Sequence, residues 1–384
     1  MSDDNKKTIL YGPYLANFRN SRKTIDYVGN NINKNITDIS FKVPEDYSNR
    51  IKNFIDEEKY FHLHKIDHQI FLATVDFFTS IKAEWCNLPL TTLMISSPGE
   101  VYAGQILNYT SDALPVEISW FNHRRNIFLS ESSQFYLELR LLIPRVEKVF
   151  SIYNSFRKEK ADISHLSEFQ HIEFEGHVSF EENLNISLDL LDHLVKYLIK
   201  NAYENLTFFI SESEIENLQF AFEKKNFEFL TFTEAMKILR HDTSDAIYDE
   251  ISLKNFGAWE EIRLTRHLGK HAIVTDYPLM EIPFYHNSTN SITAENADII
   301  LYGYREVIGS GRRIIDRDIM LKKAEFFNLP KEDYAPYLES RNIPTYRPSS
   351  GFGLGWQRFV HWLLKLSDIT ESTHIPRGHW MPSP

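Results

Sequence analysis

The chain has 384 residues, 42% hydrophobic and 14% aromatic, with a formal net charge of −11. That length suits one large, well-filled domain with a small appendage, or two domains, and the composition is that of a soluble globular protein. The charge argues against a broad nucleic-acid-binding surface, though not against a local basic site, and the single cysteine, Cys86, excludes a disulfide framework and a cysteine-based zinc site.

The opening MSDDNKKTILYG has no apolar core of signal-peptide length, and no run approaches a membrane span, so a cytoplasmic protein is expected. Residues 1–55 are polar, with scattered aromatics (Tyr11, Tyr14, Phe18, Tyr27), and read as an N-terminal appendage to a domain over 56–384. In FHLHKIDH, Phe61–His68, the alternation of His62 and His64 reads as one face of a strand. No carboxylate or cysteine there completes a familiar metal spacing. Ile70–Glu84 has helical periodicity, and LPLTTLMISSPG reads as a strand closed by a Pro-Gly turn.

A strand at Ile127–Ser130 precedes a helix from Ser133 to Ile143. KVFSIYNSFR and SEFQHIEFEGH then form an antiparallel pair across the polar loop Lys158–Leu166. In the second strand Phe169, His171, Glu173 and Glu175 face one way and Gln170, Ile172 and Phe174 the other. Two acids on one strand face either meet cations or metal, or lie on a solvated sheet face. Residues 181–240 read as mostly helical; HAIVTDYP, ADIILYGYREV and GSGRR read as strands, and Asp318–Asn328 and Lys331–Ser340 as helices.

Ser350–Leu366, SGFGLGWQRFVHWLLKL, is the most informative stretch. Glycines alternate with large apolar residues, and Trp356, Phe359, Val360, Leu363 and Leu364 then mark the buried face of a helix. Arg358 in its first turn is either a solvated charge or a planar cation for a ring or a phosphate. The stretch lacks the GK[ST] ending of a P-loop and the GxGxxG spacing of a dinucleotide fold. With strands and segregated helices, the class is α+β with an antiparallel sheet.

In order along the chain, these segments resemble the catalytic domain of class II aminoacyl-tRNA synthetases, particularly the asparaginyl group, over Phe61 to Trp380. SFRKEKADISHLSEF resembles the second motif of that family. The resemblance gives Arg157 the α-phosphate of ATP and the carboxylate being activated, puts Phe169 under the adenine, and sets Glu159 and His165 beside the nucleotide. GFGLGWQRF resembles the third motif, with Gly355 against ATP and Arg358 on the other adenine face or at the γ-phosphate. Gln357 stands where the family has glutamate. The resemblance makes Asp298 and Glu306, eight residues apart, the Mg²⁺ ligands, and Arg313 the reader of the substrate side chain. Gln134 falls on a substrate-contacting glutamine and Glu138 on a glutamate of the asparaginyl enzymes. Leu137 replaces a lysine of the aspartyl enzymes. Ile70–Pro98 would be the first motif, hence a homodimer interface. Read singly, Arg312 and Arg313 could be surface charges, Asp298 a turn cap, and Glu138 a solvated helix face.

A complete asparaginyl enzyme carries an anticodon-reading barrel, and the roughly 55 residues ahead of the expected catalytic domain are too few for one. Ser164 stands where an arginine of the tRNA-contacting loop is expected. Free-standing relatives of this kind include an archaeal asparagine synthetase. The expectation is therefore an AMP-forming ligase that activates aspartate, asparagine or an analogue and passes the acyl group to a small amine. Arg157 and Arg358 would be its catalytic residues, with ATP and Mg²⁺ as cofactors. A truncated synthetase charging tRNA or a tRNA-like partner is the alternative. A regulatory protein that only binds amino acid or adenylate is the third reading, and it has less need of Arg157 and Arg358.

Overall fold

The computed structural model describes residues 10–29, 50–96, 114–121, 126–158 and 162–379. The first elements are the hairpin β1 (Tyr14–Arg19) and β2 (Arg22–Tyr27), then helices α1 (Arg50–Asp56) and α2 (Lys59–Ser80). Short strands β3 (Glu84–Trp85), β4 (Thr91–Thr92), β5 (Val116–Ile118) and β6 (Ile127–Leu129) lead to α3 (Gln134–Arg140) and the long strands β7 (Lys148–Phe156) and β8 (Glu168–Gly176). Helices α4 (Phe180–Asn201), α5 (Tyr203–Phe209) and α6 (Glu212–Leu218) precede β9 (Phe227–Thr231), α7 (Phe232–Thr243) and α8 (Ala258–Leu268). The last third holds β10 (His271–Thr275), β11 (Asn296–Ile300), β12 (Glu306–Arg312), α9 (Arg317–Phe326), α10 (Lys331–Glu339), β13 (Ser350–Gly355) and α11 (Trp356–Leu363).

The main sheet runs β3-β7-β8-β13-β12-β11-β10-β9. Its centre is antiparallel, as expected, but both edges are parallel pairs, β3 with β7 and β9 with β10. Strand β9 interrupts a region expected to be mostly helical: FEFLT has the aromatic content of a strand, and it joins the edge beside β10. A second correction concerns Phe61–His68, which is helix. Leu63, Ile66, Ile70, Ala73 and Phe77 are buried at steps of three and four, and this period outweighs the local alternation of two histidines. LPLTTLMISSPG shrinks to the two-residue β4 of a small sheet ordered β4-β6-β5, and its Pro-Gly turn lies outside the described residues.

Alternation decides which sheet face becomes core. Ile172, Phe174, Phe352 and Leu354 are buried in the main hydrophobic cluster with residues of α2, α4, α8 and α11. The opposite face of β8 and β13 pairs Glu173 with Gly353 and Glu175 with Gly351. The glycines of β13 are thus partners of glutamates, and they leave room on the face where the site forms. A Cβ at Gly351 would lie 2.0 Å from Glu175 Oε2 and 2.4 Å from the Phe174 carbonyl oxygen.

Within residues 10–29, Tyr14, Ala16, Ile25 and Tyr27 belong to that same cluster. Tyr14 hydrogen-bonds His361 Nε2 at 2.7 Å and donates to the Ser367 carbonyl, and Trp259 donates its indole N–H to the carbonyls of Asn17 and Thr24. The hairpin is held by α8 and by the end of α11. No helix among the described residues is long and apolar enough to cross a membrane.

Gly351→Ala is expected to cost about 2 kcal/mol or more of stability, because a methyl group would overlap backbone as well as a carboxylate. Denaturant unfolding measures this, and an unchanged midpoint would mean that β8 and β13 can part at no cost.

Candidate active site

Three adjoining cavities, of about 70, 250 and 570 Å³, open on the glycine face of the sheet, and Arg157 and Glu306 line all of them. The smallest is bounded by Arg157, His165, Phe169, Gly355 and Arg358. Strand β7 ends one residue before Arg157, whose guanidinium lies 5.4 Å from the Phe169 ring centroid on β8. Arg358 projects from the first turn of α11. It donates to Glu306 Oε2 at 3.2 Å and to the Glu306 carbonyl at 3.1 Å, and its Nη2 meets His165 Nε2 at 2.9 Å. His165 in turn meets Asp162 and Arg305. Burial works against ionisation of Asp162, yet His165 and Arg305 hold its carboxyl well below the usual range. His171 is held neutral by burial and by Arg157 and Arg358.

Asp298 on β11 and Glu306 on β12 line both the middle and the largest cavity. A Cβ on Gly309 would lie 2.8 Å from Glu306 Oε1 and 3.6 Å from Asp298 Oδ1, so the glycine keeps open the space on which the two carboxylates converge. Burial pushes the Asp298 carboxyl up, and the charge of Glu306 pushes it further. Two converging hard oxygen donors fit a magnesium ion, which is held by one or two carboxylates plus phosphate oxygens. Among the described residues no third His, Cys, Asp or Glu joins them as a cluster.

The middle cavity is lined by Gln134, Glu173, Tyr285, His286 and Arg313. Arg313 is fully buried; its Nε and Nη2 donate to Glu175, the latter at 2.7 Å, and its guanidinium lies 5.1 Å from the Tyr285 ring centroid. Its Nη1 has no hydrogen-bond partner among the described residues. Burial raises the Glu175 carboxyl to about 7, with Arg313 opposing and Glu138 adding to the rise. Gln134 accepts a hydrogen bond from the Tyr285 hydroxyl at 3.1 Å. Glu173 is held by Ser132 and Ser133.

Glu138 is not a cavity wall. It accepts from Arg341 at 2.6 Å and from the Tyr337 hydroxyl at 2.5 Å, and stands 3.9 Å behind Arg313. Leu137 is buried with Leu141 and Val149, away from the cavity, so any effect on specificity comes from the missing lysine rather than from contact. Gln357 ties α11 to β8, accepting from the Gln170 backbone N–H at 2.8 Å. Arg312 reaches Glu295. Glu159 lies outside the described residues. Arg157, His165, Phe169, Gly355, Arg358, Asp298, Glu306, Gln134 and Arg313 are therefore brought together, with Glu138 one layer behind.

Comparison with known proteins bears on the family and the fold. Residues 108–379 match the family model described as tRNA synthetases class II (D, K and N). The chain belongs to that family. An asparagine–tRNA ligase of Lactobacillus delbrueckii subsp. bulgaricus is 30% identical over 323 residues, which is 83% of this chain and 69% of that protein. The asparaginyl-tRNA synthetase of Pyrococcus horikoshii, solved with asparaginyl-adenylate, superposes with a TM-score of 0.75 at 22% identity, over 94% of this chain and 83% of that one. The Entamoeba histolytica enzyme, also with asparaginyl-adenylate, gives 0.74 at 21% identity, over 92% and 74%. The solved structures establish the α+β class II fold. The family is one of ATP-using ligases that activate amino acids as adenylates and charge tRNA.

Residue pattern alone does not single out several of the residues that line these cavities. Tyr285, His286, Arg305 and Glu261 carry no pattern that marks them. Glu173 and Glu175 do carry one: their alternation with Ile172 and Phe174 leaves them either partnered or on a solvated sheet face, and the structure buries both.

Proposed function

We propose that the chain is an AMP-forming ligase that activates the carboxylate of asparagine, aspartate or an analogue as an acyl-adenylate. It passes the acyl group to a small amine. The observation that carries this reading is the convergence of Arg157, Arg358 and the Asp298–Glu306 pair beside a pocket floored by Arg313. Arg157 holds the α-phosphate and the attacking carboxylate, and its fixed charge offsets the charge that builds as they join. Asp298 and Glu306 would hold Mg²⁺, which when bound supplies positive charge to the phosphate oxygens. Phe169 offers a ring to the adenine, with His165 and Gly355 beside it, and Arg358 stands at the γ-phosphate side. Gln134 and Arg313 grip the amino acid, and Glu138 positions Arg313 from behind.

A small acceptor fits the described end of the second-motif loop. Asp162, Ser164 and His165 turn inward to Arg305 and Arg358, and Ser164 is buried. Charging of tRNA is the second reading, favoured by family membership and by the names of the relatives. A homodimer is proposed through α2 and the strand after it, where Phe61, Phe71 and Trp85 are exposed.

Arg157→Ala should lower amino-acid-dependent ATP–pyrophosphate exchange about a hundredfold to a thousandfold while leaving the unfolding midpoint in place. Exchange at the wild-type rate would remove Arg157 from the mechanism. Above about pH 7 Glu175 is ionised and the Arg313–Glu175 pair is neutral, which suits a carboxamide side chain. Below it Glu175 gains a proton, Arg313 is left with a net positive charge, and a carboxylate side chain gains. The ratio of kcat/KM for asparagine to that for aspartate should thus fall as pH drops from roughly 8 to 6; a flat ratio would remove Glu175 from the choice. Trp85→Glu should shift the sedimenting species toward monomer, and an unchanged profile would move the interface elsewhere.

A further inference from the structure

The largest cavity extends from Arg157, Asp298 and Glu306 outward between β2 and residues 247–261. Most of its cations are paired: Lys23 with Glu260 at 2.5 Å, Arg305 with Glu261 at 2.9 Å, Arg358 with Glu306 at 3.2 Å, while Glu281 and Asp298 stand with Arg157 in the same lining. Lys254 is matched as well, by Glu250 at 2.5 Å. A phosphodiester strand binds where cations outnumber carboxylates, and among the described residues these walls do not offer that.

The wall beside the hairpin has a different speciality. Glu260 is 6% exposed, and its carboxylate accepts the Tyr248 hydroxyl at 2.8 Å and the Gly257 N–H at 3.0 Å, which fixes its direction. Lys23 Nζ rests on this carboxylate and lies 5.2 Å from the ring centroids of both Tyr248 and Trp259. One buried carboxylate between two aromatic rings is a box for an ammonium group. Trp259 is pinned by its two hydrogen bonds to the hairpin, so the box is rigid. Its occupant is not, since Lys23 has a long stem on β2 and a side chain 27% exposed.

We propose that this chamber is the acyl-acceptor site and that it takes a small diamine, one amine seated as ammonium in the Glu260 box in place of Lys23. This rests on the adenylating reading given above. The seated amine is protonated and does not react. The other, neutral, points back toward Asp298 and Glu306, where the adenylate forms. Its nitrogen attacks the acyl carbon and a C–N bond forms. The C–O bond to AMP breaks, AMP leaves with the electron pair, and the surplus proton on nitrogen passes to water. Lys23 holds the box until such a ligand displaces it.

The test measures AMP release and the mass of the product with saturating ATP and amino acid, using ethylenediamine, putrescine, methylamine, ammonia and tRNA as acceptors. The diamines should be preferred to methylamine and ammonia. Glu260→Gln should raise the diamine KM about tenfold or more, and Lys23→Met should lower it several-fold. Amino-acid-dependent exchange should stay within about twofold in both variants. A purely structural Lys23–Glu260 tie would instead make both variants worse in the same direction, which would overturn the proposal. So would acylation confined to tRNA, or diamine KM values that neither variant moves. Absence of exchange with every acid would defeat the adenylating reading instead. Calorimetric titration of putrescine into wild type and Glu260→Gln then decides the chamber by itself: binding weakened in the variant supports it, and no binding to wild type overturns it.

Discussion

A buried ladder of alternating charge, Glu175–Arg313–Glu138–Arg341, holds the site together. Each rung is almost completely shielded from water, and the contacts run 2.7, 3.9 and 2.6 Å. Removing any one member would strand a charge in a low-dielectric interior, at a cost of about 3–5 kcal/mol. The four residues come from β8, the residue after β12, α3 and the turn after α10, so the ladder fixes the relative positions of parts far apart in sequence. It also explains why β13 carries glycine where it does. The Arg313–Glu175 contact occupies the space that a side chain at position 351 would fill.

Much of this was legible beforehand, and for identifiable reasons. The alternation of Phe174 and Ile172 with Glu173 and Glu175 reports two environments directly, because a strand cannot put both sets on one side. The amphipathic spacing after Gly355 located α11, whereas the pairing of Asp298 with Glu306 came from the family resemblance: pattern alone read ADIILYGYREV as one strand, and the structure divides it between β11 and β12. What failed was local pattern without context. His62 and His64 looked like a strand until the longer period of Leu63, Ile66 and Ile70 was counted. Strand β9 was hidden because a short aromatic run amid helices gives no hint that β10 lies beside it. Arg305 and Glu261 were illegible for a different reason: their significance is that they meet each other.

That meeting links two regions. One oxygen of Glu261 accepts Arg305 Nε at 2.9 Å and the backbone N–H of Glu306 at 3.3 Å. The helix that carries the Lys23 box, α8, is thereby tied to the strand that carries a carboxylate of the phosphate side. A shift of α8 would be felt at Glu306 through one hydrogen-bonded carboxylate, not through a long relay.

Strand β13 sits between β8 and β12, although it is the last strand described along the chain. Until Ser350–Gly355 leaves the ribosome, β8 and β12 have no common neighbour, and each presents a raw hydrogen-bonding edge. The two halves of the sheet are therefore unable to close during most of synthesis. Such edges invite pairing with other chains, and the closing contacts span long stretches of sequence, which slows folding. The chain should depend on chaperone occupancy during translation more than its finished stability would suggest, with the final glycine strand acting as the keystone that ends that exposure.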